Sequence, residues 1–176
     1  MLLSIFPGWE SVHPIMIHFP IALLLVAPLF ILIAAVLSPP KGRPFMISAL
    51  ILLGLGTASL FVAISAGEAA AKALPNYGAT GQLIATHQNL AFETRGIFVM
   101  LLVLYVAIML VPKVLHRDGR LFSTVLPLAF LLLYCAGAVV LVNTAHDGGR
   151  LVHEFGVHAV ESSSGQSPQL ARHSGN

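Results

Sequence analysis

Residues 15–37 read IMIHFPIALLLVAPLFILIAAVL, and this stretch decides the fold. It is 23 residues long, and its only ionisable side chain is that of His18. An apolar stretch of about 20 residues is long enough to cross a hydrocarbon core of about 30 Å as an α-helix. The sequence therefore predicts a membrane-spanning helix here.

Three more apolar stretches of similar length follow, at 45–66, 90–111 and 121–142. Hydrophobic residues make up 57% of the chain and charged residues only 9%, whereas a soluble domain carries about 25% charged residues. A membrane barrel would instead need many short segments of alternating polarity. We therefore predict an all-α, integral membrane four-helix bundle over residues 1–160, followed by a polar, flexible C-terminal tail over 161–176.

The basic residues predict how the bundle lies in the membrane. Lys41 and Arg43 lie between the first two apolar stretches, and Lys113, Arg117 and Arg120 lie between the last two. Loops rich in lysine and arginine stay on the cytoplasmic side. The sequence thus predicts a multi-pass protein of the bacterial inner membrane with both termini in the periplasm. It shows no basic patch suited to nucleic acid.

Seven of the eight histidines fall on the predicted periplasmic side, and only His116 falls on the other. Histidine is the commonest metal ligand, and ionisable groups near a membrane core are costly and usually functional. His18 is the deepest of the set, at about 13 Å from the bilayer midplane. Our candidate ligands are, in order, His18, His87, His146 and His13.

Charged residues near these histidines could complete a binding site. Glu68 follows the second apolar stretch at a similar level, and Arg95 lies on roughly the same helix face as His87. An arginine inside a membrane is costly, so Arg95 is expected to pair with a carboxylate or to hold an anionic group such as a haem propionate. Arg150 is a second candidate for the same anionic group.

Smaller features give further structural expectations. Pro28 interrupts a helical hydrogen-bond ladder, and a bundle allows neighbouring groups to satisfy the freed carbonyl. Gly54 and Gly56 would allow either a neighbouring helix or a cofactor to approach closely, and we expect helix packing. Cys135 is expected to be a buried packing residue. The paired glycines in 147–150 predict the end of the fourth helix.

Three segments carry a resemblance to a known family. Residues 13–22 read HPIMIHFPIA and residues 146–157 read HDGGRLVHEFGV, and 65–68 read SAGE. These segments resemble a family of small bacterial four-helix membrane proteins of unknown function, and the match spans about residues 13–160. The resemblance implies the fold. The family's histidine content and its frequent company with periplasmic cytochromes imply a protein similar to a b-type cytochrome.

These observations together predict a membrane electron-transfer subunit rather than a stand-alone enzyme. Histidines of different helices would hold one haem b, or two, near the periplasmic face, since cofactor sites in bundles are built from facing side chains. Besides the surrounding membrane lipid, the expected partner is a periplasmic cytochrome c or a membrane oxidoreductase complex. The sequence offers no Ser-His-Asp set and no phosphate loop for hydrolytic or kinase chemistry.

Two other classes of function stay open. The chain could be a haem-free membrane protein that binds Zn or Cu, because imidazole suits both metals. Its ligands would then be His13, His18, His87, His146 and Glu68. Alternatively, the chain could be a structural or assembly subunit of a membrane complex, with its histidines simply lying near the membrane surface.

Overall fold

Four long helices form the protein, as the sequence predicts. A computed structural model describes residues 16–37, 39–72, 81–114, 116, 119 and 121–153. All four helices are long and apolar enough to cross a membrane. They are α1 (His18–Val36), α2 (Pro39–Lys72), α3 (Gly81–Val114) and α4 (Leu126–His153), and a π-helical turn (Leu121–Val125) leads into α4. The predicted all-α, four-helix fold is thus confirmed.

Helices α2, α3 and α4 continue well beyond the predicted apolar stretches. Both α2 and α3 are 34 residues long, which corresponds to about 51 Å. A hydrocarbon core of about 30 Å covers only part of that length. The ends of α2 and α3 therefore extend past the hydrocarbon, and polar residues such as Glu68 and His87 lie within helices rather than in loops.

The connection between α1 and α2 is very short. Leu37 leaves the helical conformation, and its N–H donates to the Ile33 carbonyl at 3.0 Å. α2 begins at Pro39, a residue suited to the first helical position because its missing N–H needs no partner there. A Cβ built at Gly42 would lie 2.6 Å from the Ala34 carbonyl oxygen. Only glycine allows the two helices to pack this closely next to the turn.

Each helix packs against its neighbours in the chain, and α4 closes the ring against α1. The principal contacts in the described part of the chain are thus those of a four-membered ring, with α1 and α3 on one diagonal. Further along α2, a Cβ at Gly56 would lie 2.6 Å from Cδ2 of Leu24, whereas one at Gly54 would meet nothing within 4 Å. The predicted close packing therefore holds at Gly56 and not at Gly54.

Aromatic side chains of α3 and α4 fill the middle of the bundle. The ring centroids of Phe98 and Tyr134 lie 5.6 Å apart, those of Tyr134 and Phe130 lie 5.9 Å apart, and those of Phe130 and Tyr105 lie 5.1 Å apart. All four side chains are almost completely buried. Such tilted and edge-on pairs add stabilisation beyond the area that they bury.

A hydrogen bond from α4 satisfies the carbonyl that Pro28 frees in α1. Proline has no N–H to donate to the carbonyl four residues earlier, and in α1 that carbonyl belongs to Leu24. The hydroxyl of Tyr134 donates to the Leu24 oxygen at 2.7 Å. The expectation that neighbouring helices satisfy such a carbonyl is confirmed here.

Two of the smaller expectations are wrong. α4 does not end at the paired glycines but continues to His153, because its neighbours hold this part of the helix and Gly148 packs against α3. Cys135 is exposed rather than buried. It follows the buried Tyr134 by one residue, and one residue turns a helix by about 100°, so the thiol faces away from the core.

Candidate functional site

Three of the predicted ligands lie at one end of the bundle, which we call the histidine end. His18 opens α1, His87 lies in the second turn of α3, and His146 lies near the end of α4. Because α2 also ends here, Glu68 belongs to the same end. The structure therefore places these four residues at the same end of the bundle.

The other histidines have different places in the chain. His116 lies at the opposite end, in the connection between α3 and α4, where its φ of 49° is that of a tight turn. His153 is the last residue of α4, and only its backbone is described. The predictions for His13, His158 and His173 concern positions outside the described residues.

His87 is on the side of α3 that faces the bundle interior. It shares the seven-residue spacing of the buried residues Thr94, Leu101 and Ile108, and residues seven apart lie on one helix face. The side chain is half-buried, and its Nδ1 atom is shielded from solvent.

The His87 imidazole packs against Gly148 of α4. A Cβ built at Gly148 would lie 3.0 Å from Cε1 and 3.5 Å from Nε2 of His87. The glycine therefore leaves the space that the ring occupies. Gly148 therefore lies within α4 and packs against α3. Sequence reasoning missed this packing role.

His18 and His146 are exposed, unlike His87. His18 lies two positions before the buried Pro20 of α1, and His146 lies two positions before Gly148, which faces α3 from α4. Two positions turn a helix by about 200°, so these imidazoles point away from the interior. The structure separates the candidate ligands into one inward-facing and two outward-facing histidines.

No metal site forms within the described residues. There, no three histidine, cysteine, aspartate or glutamate side chains come close enough to hold an ion. His18, His87, His146 and Glu68 thus share one end of the bundle without converging on one point. Their roles as ligands stay predictions, as does that of His13.

Arg95 contacts aromatic rings on two helices. Its guanidinium carbon lies 5.0 Å from the centroid of the Phe61 ring on α2 and 5.1 Å from that of Phe92 on α3. Both distances fall within the range of a cation–π interaction. In the part of the chain that the structure describes, no carboxylate pairs with Arg95, so Glu68 and the other nearby acids do not provide the expected partner there.

A pair of threonines continues the inward face of His87 towards the membrane centre. Oγ1 of Thr94 and Oγ1 of Thr144 lie 2.7 Å apart, and Thr94 also donates to the Leu90 carbonyl at 2.7 Å. Both residues are buried. Thr94 follows His87 by seven residues, and Thr144 precedes Gly148 by four. The seven-residue spacing is the signal from which sequence reasoning could have found this polar seam between α3 and α4.

The remaining predicted residues are only partly buried. Glu68 is half-buried and lines an open depression together with Lys72 and Gln88. Arg150 is half-buried in the last turns of α4. Each lies at the histidine end, where an anionic or cationic group could approach from the membrane surface.

Comparisons with known proteins identify the family. Neither the curated proteins nor the solved structures give a match to this chain. One family model, described as "Predicted membrane protein (DUF2231)", matches residues 10–161. That match covers all three segments that carry the resemblance noted in the sequence, and it agrees with the four apolar helices. The chain therefore belongs to this family of predicted membrane proteins.

Proposed function

We propose that this protein is a membrane electron-transfer subunit that binds haem b at its histidine end. The observation that carries the proposal is the position of His87, whose imidazole faces the bundle interior beside a glycine of the next helix. Histidine is the commonest metal ligand, and cofactor sites in bundles are built from side chains that face inward from different helices. An inward-facing imidazole at the end of the bundle is therefore placed to coordinate a metal-containing group.

The residues at this end fit one axial ligand well. Gly148 leaves the space that the His87 ring itself occupies, so this imidazole is held in place against α4 at the histidine end. The middle of the bundle is filled by residues such as Phe98 and Tyr134. These two observations favour a cofactor near the membrane surface over one at the bilayer centre.

The second axial ligand in our proposal is His13. His18 and His146 face outward, and His13, which lies outside the described residues, is the remaining histidine among the ligands predicted from the sequence. α1 and α3 lie on one diagonal of the ring, which suits ligands that approach a cofactor from opposite sides.

A bound haem supplies one-electron redox chemistry, and the protein supplies ligands and a dry environment. His87 would coordinate the iron through one ring nitrogen, and the orientation of the ring would be fixed by its packing against Gly148. The proposed partner is a periplasmic cytochrome c or a membrane oxidoreductase complex. A cofactor close to the surface suits electron exchange with either of them.

The proposal is tested by a reduced-minus-oxidised absorption spectrum of the purified protein. We expect a low-spin haem b spectrum that is lost or converted in His87→Ala and in His13→Ala. His18→Ala and His116→Ala are the matched controls and should keep it. A spectrum that survives His87→Ala but is lost in His18→Ala would show that His18, and not His87, is the axial ligand.

Absence of haem from the wild-type protein would overturn the electron-transfer proposal. Metal analysis would then separate the two other classes. Stoichiometric Zn or Cu that is lost in His87→Ala would favour the haem-free metal-binding protein. A metal-free protein would favour a structural or assembly subunit.

A further inference from the structure

Arg95 is part of a groove on the outer surface between α2 and α3. On α3, Gln88, Phe92 and Arg95 follow the spacing of one helix face. On α2, Phe61, Glu68 and Lys72 do the same, and the two faces meet where the Arg95 guanidinium lies over the Phe61 ring. Glu68, Lys72, Gln88 and Phe92 also line one open depression. We call these six residues the α2–α3 groove.

This groove is open to the surroundings of the bundle rather than to its interior. Phe61 is 48% exposed and Phe92 is 37% exposed. His87, in contrast, is on the inward side of α3, against Gly148. Arg95 therefore lies on a different surface from the proposed cofactor ligand, and the prediction that it shares a helix face with His87 is wrong, because eight residues turn a helix about 80° past two full turns.

The depth of Arg95 places it at the edge of the hydrocarbon. It directly precedes an uncharged run, 96–112, in α3. The centre of that run is about nine residues away, which puts Arg95 about 13 Å from the bilayer midplane. The phosphate groups of the lipids begin just beyond this level, since the hydrocarbon core is about 30 Å thick.

The guanidinium still has hydrogen bonds to donate at this position. Its two aromatic contacts use the faces of the rings and leave its N–H groups available. Within the described residues, no acceptor takes those N–H groups, and Lys72 follows Glu68 by four residues on the same face of α2. The groove thus holds two cations and one carboxylate. The groove therefore carries one more positive than negative charge, which favours binding of an anion.

Below Arg95, small and apolar residues continue the same outward side of α2 and α3, which we call the apolar channel. Ala58 is exposed, and a Cβ built at Gly54 would meet nothing within 4 Å. Val99 on α3 is 38% exposed on the same side. A polar site at the lipid phosphate level above an apolar channel matches the shape of a phospholipid.

We propose that the α2–α3 groove binds an anionic phospholipid. The guanidinium of Arg95 holds the phosphodiester by paired hydrogen bonds, a geometry that arginine offers and lysine does not. Phe61 and Phe92 fix the guanidinium, and one acyl chain lies along Ala58 and Gly54. This site is independent of the haem proposal, because it uses none of the histidines.

Native mass spectrometry of the full chain, released from detergent micelles that contain a fixed fraction of phosphatidylglycerol, tests the site. We expect the wild-type protein to retain phosphatidylglycerol in preference to phosphatidylcholine. Arg95→Gln should weaken retention about tenfold, because a charge-assisted pair is lost. Lys113→Gln removes one exposed positive charge at the opposite end and should retain lipid like the wild type.

Two further variants separate specific recognition from general attraction and from misfolding. Arg95→Lys keeps the positive charge but loses the planar guanidinium that makes paired hydrogen bonds. This variant should retain an intermediate amount of lipid. Ala58→Leu fills the exposed channel, leaves Arg95 in place and should also weaken retention. Equal retention by the wild type, Arg95→Gln and Ala58→Leu would overturn the proposal. Displacement of the lipid by millimolar inorganic phosphate would show a free-phosphate site and would overturn it as well.

Discussion

Tyr134 and Pro28 depend on each other although they are 106 positions apart in the sequence. Pro28 cannot donate a hydrogen bond to the Leu24 carbonyl, and the Tyr134 hydroxyl does so from α4 at 2.7 Å. An unsatisfied carbonyl in an apolar core is costly. One hydroxyl therefore makes a proline acceptable in the middle of a membrane helix and joins α1 to α4.

We predict that Tyr134→Phe lowers the free energy of unfolding by about 1–2 kcal/mol, because it leaves the Leu24 carbonyl without a partner. Tyr105→Phe is the matched control. The Tyr105 hydroxyl donates to the Met46 carbonyl at 3.2 Å, but that carbonyl also has the N–H of Leu50 within its own helix. Unfolding in mixed detergent micelles measures both variants. A loss for Tyr105→Phe as large as that for Tyr134→Phe would contradict this explanation.

The burial of single residues was less predictable from the sequence than their depth. Leu24 is fully buried, whereas the adjacent Leu25 is 40% exposed, yet both belong to one continuous apolar stretch. Lipid tails are as apolar as leucine, so hydrophobic periodicity does not separate the lipid face from the core. For the same reason, the sequence ranked His18 above His87, although only His87 faces inward among the described histidine side chains.

At the scale of the helices, the apolar stretches predicted the number of elements but not their lengths. A span is limited by the membrane thickness, whereas a helix continues as long as neighbours hold it. α4 shows the difference, because it runs through Gly148 and Gly149 to His153. Paired glycines weaken a helix. Gly148 offsets this cost with a close contact to α3, where a Cβ would lie only 3.0 Å from the His87 ring.

We predict opposite roles for the two glycines of α4. Gly149→Ala should stabilise the protein by up to about 1 kcal/mol, because alanine is the better helix former and its Cβ would meet nothing within 4 Å. Gly148→Ala should lose that gain or destabilise the protein, because its Cβ would lie 3.0 Å from the His87 ring. Thermal unfolding in detergent measures both changes.

A double variant checks the cause of the difference between the glycines. Replacing His87 by alanine removes the ring that Gly148 contacts. In that background, Gly148→Ala and Gly149→Ala should have similar effects. A difference that persists without the imidazole would mean that another neighbour, and not His87, requires the glycine.

At the scale of the whole molecule, the ring of four helices has an inward polar seam and an outward one. The inward seam between α3 and α4 holds His87 and the threonine pair of Thr94 and Thr144. The outward seam between α2 and α3 holds Arg95 over Phe61. A cofactor and a lipid could therefore occupy the same end of the bundle without competing for residues.

The orientation of the molecule decides which partners can reach the histidine end. If all four candidate spans cross the membrane, the first residue of α1 and the last residue of α4 lie on the same side. The basic residues between α1 and α2 and between α3 and α4 predict that these connections are cytoplasmic. The histidine end would then face the periplasm, where a soluble cytochrome could approach it.

We predict that a thiol at position 82 is labelled from outside intact cells and that a thiol at position 119 is not. Gln82 is exposed in the first turn of α3, and Gly119 lies in the opposite connection with nothing within 4 Å of its Cβ position. Gly42 is unsuitable as a probe, because a side chain there would meet the Ala34 carbonyl at 2.6 Å. Each probe is introduced in a Cys135→Ala background, since the native thiol is exposed. Labelling at position 119 with protection at position 82 would invert the topology. It would place the histidine end in the cytoplasm and exclude a periplasmic cytochrome as its partner.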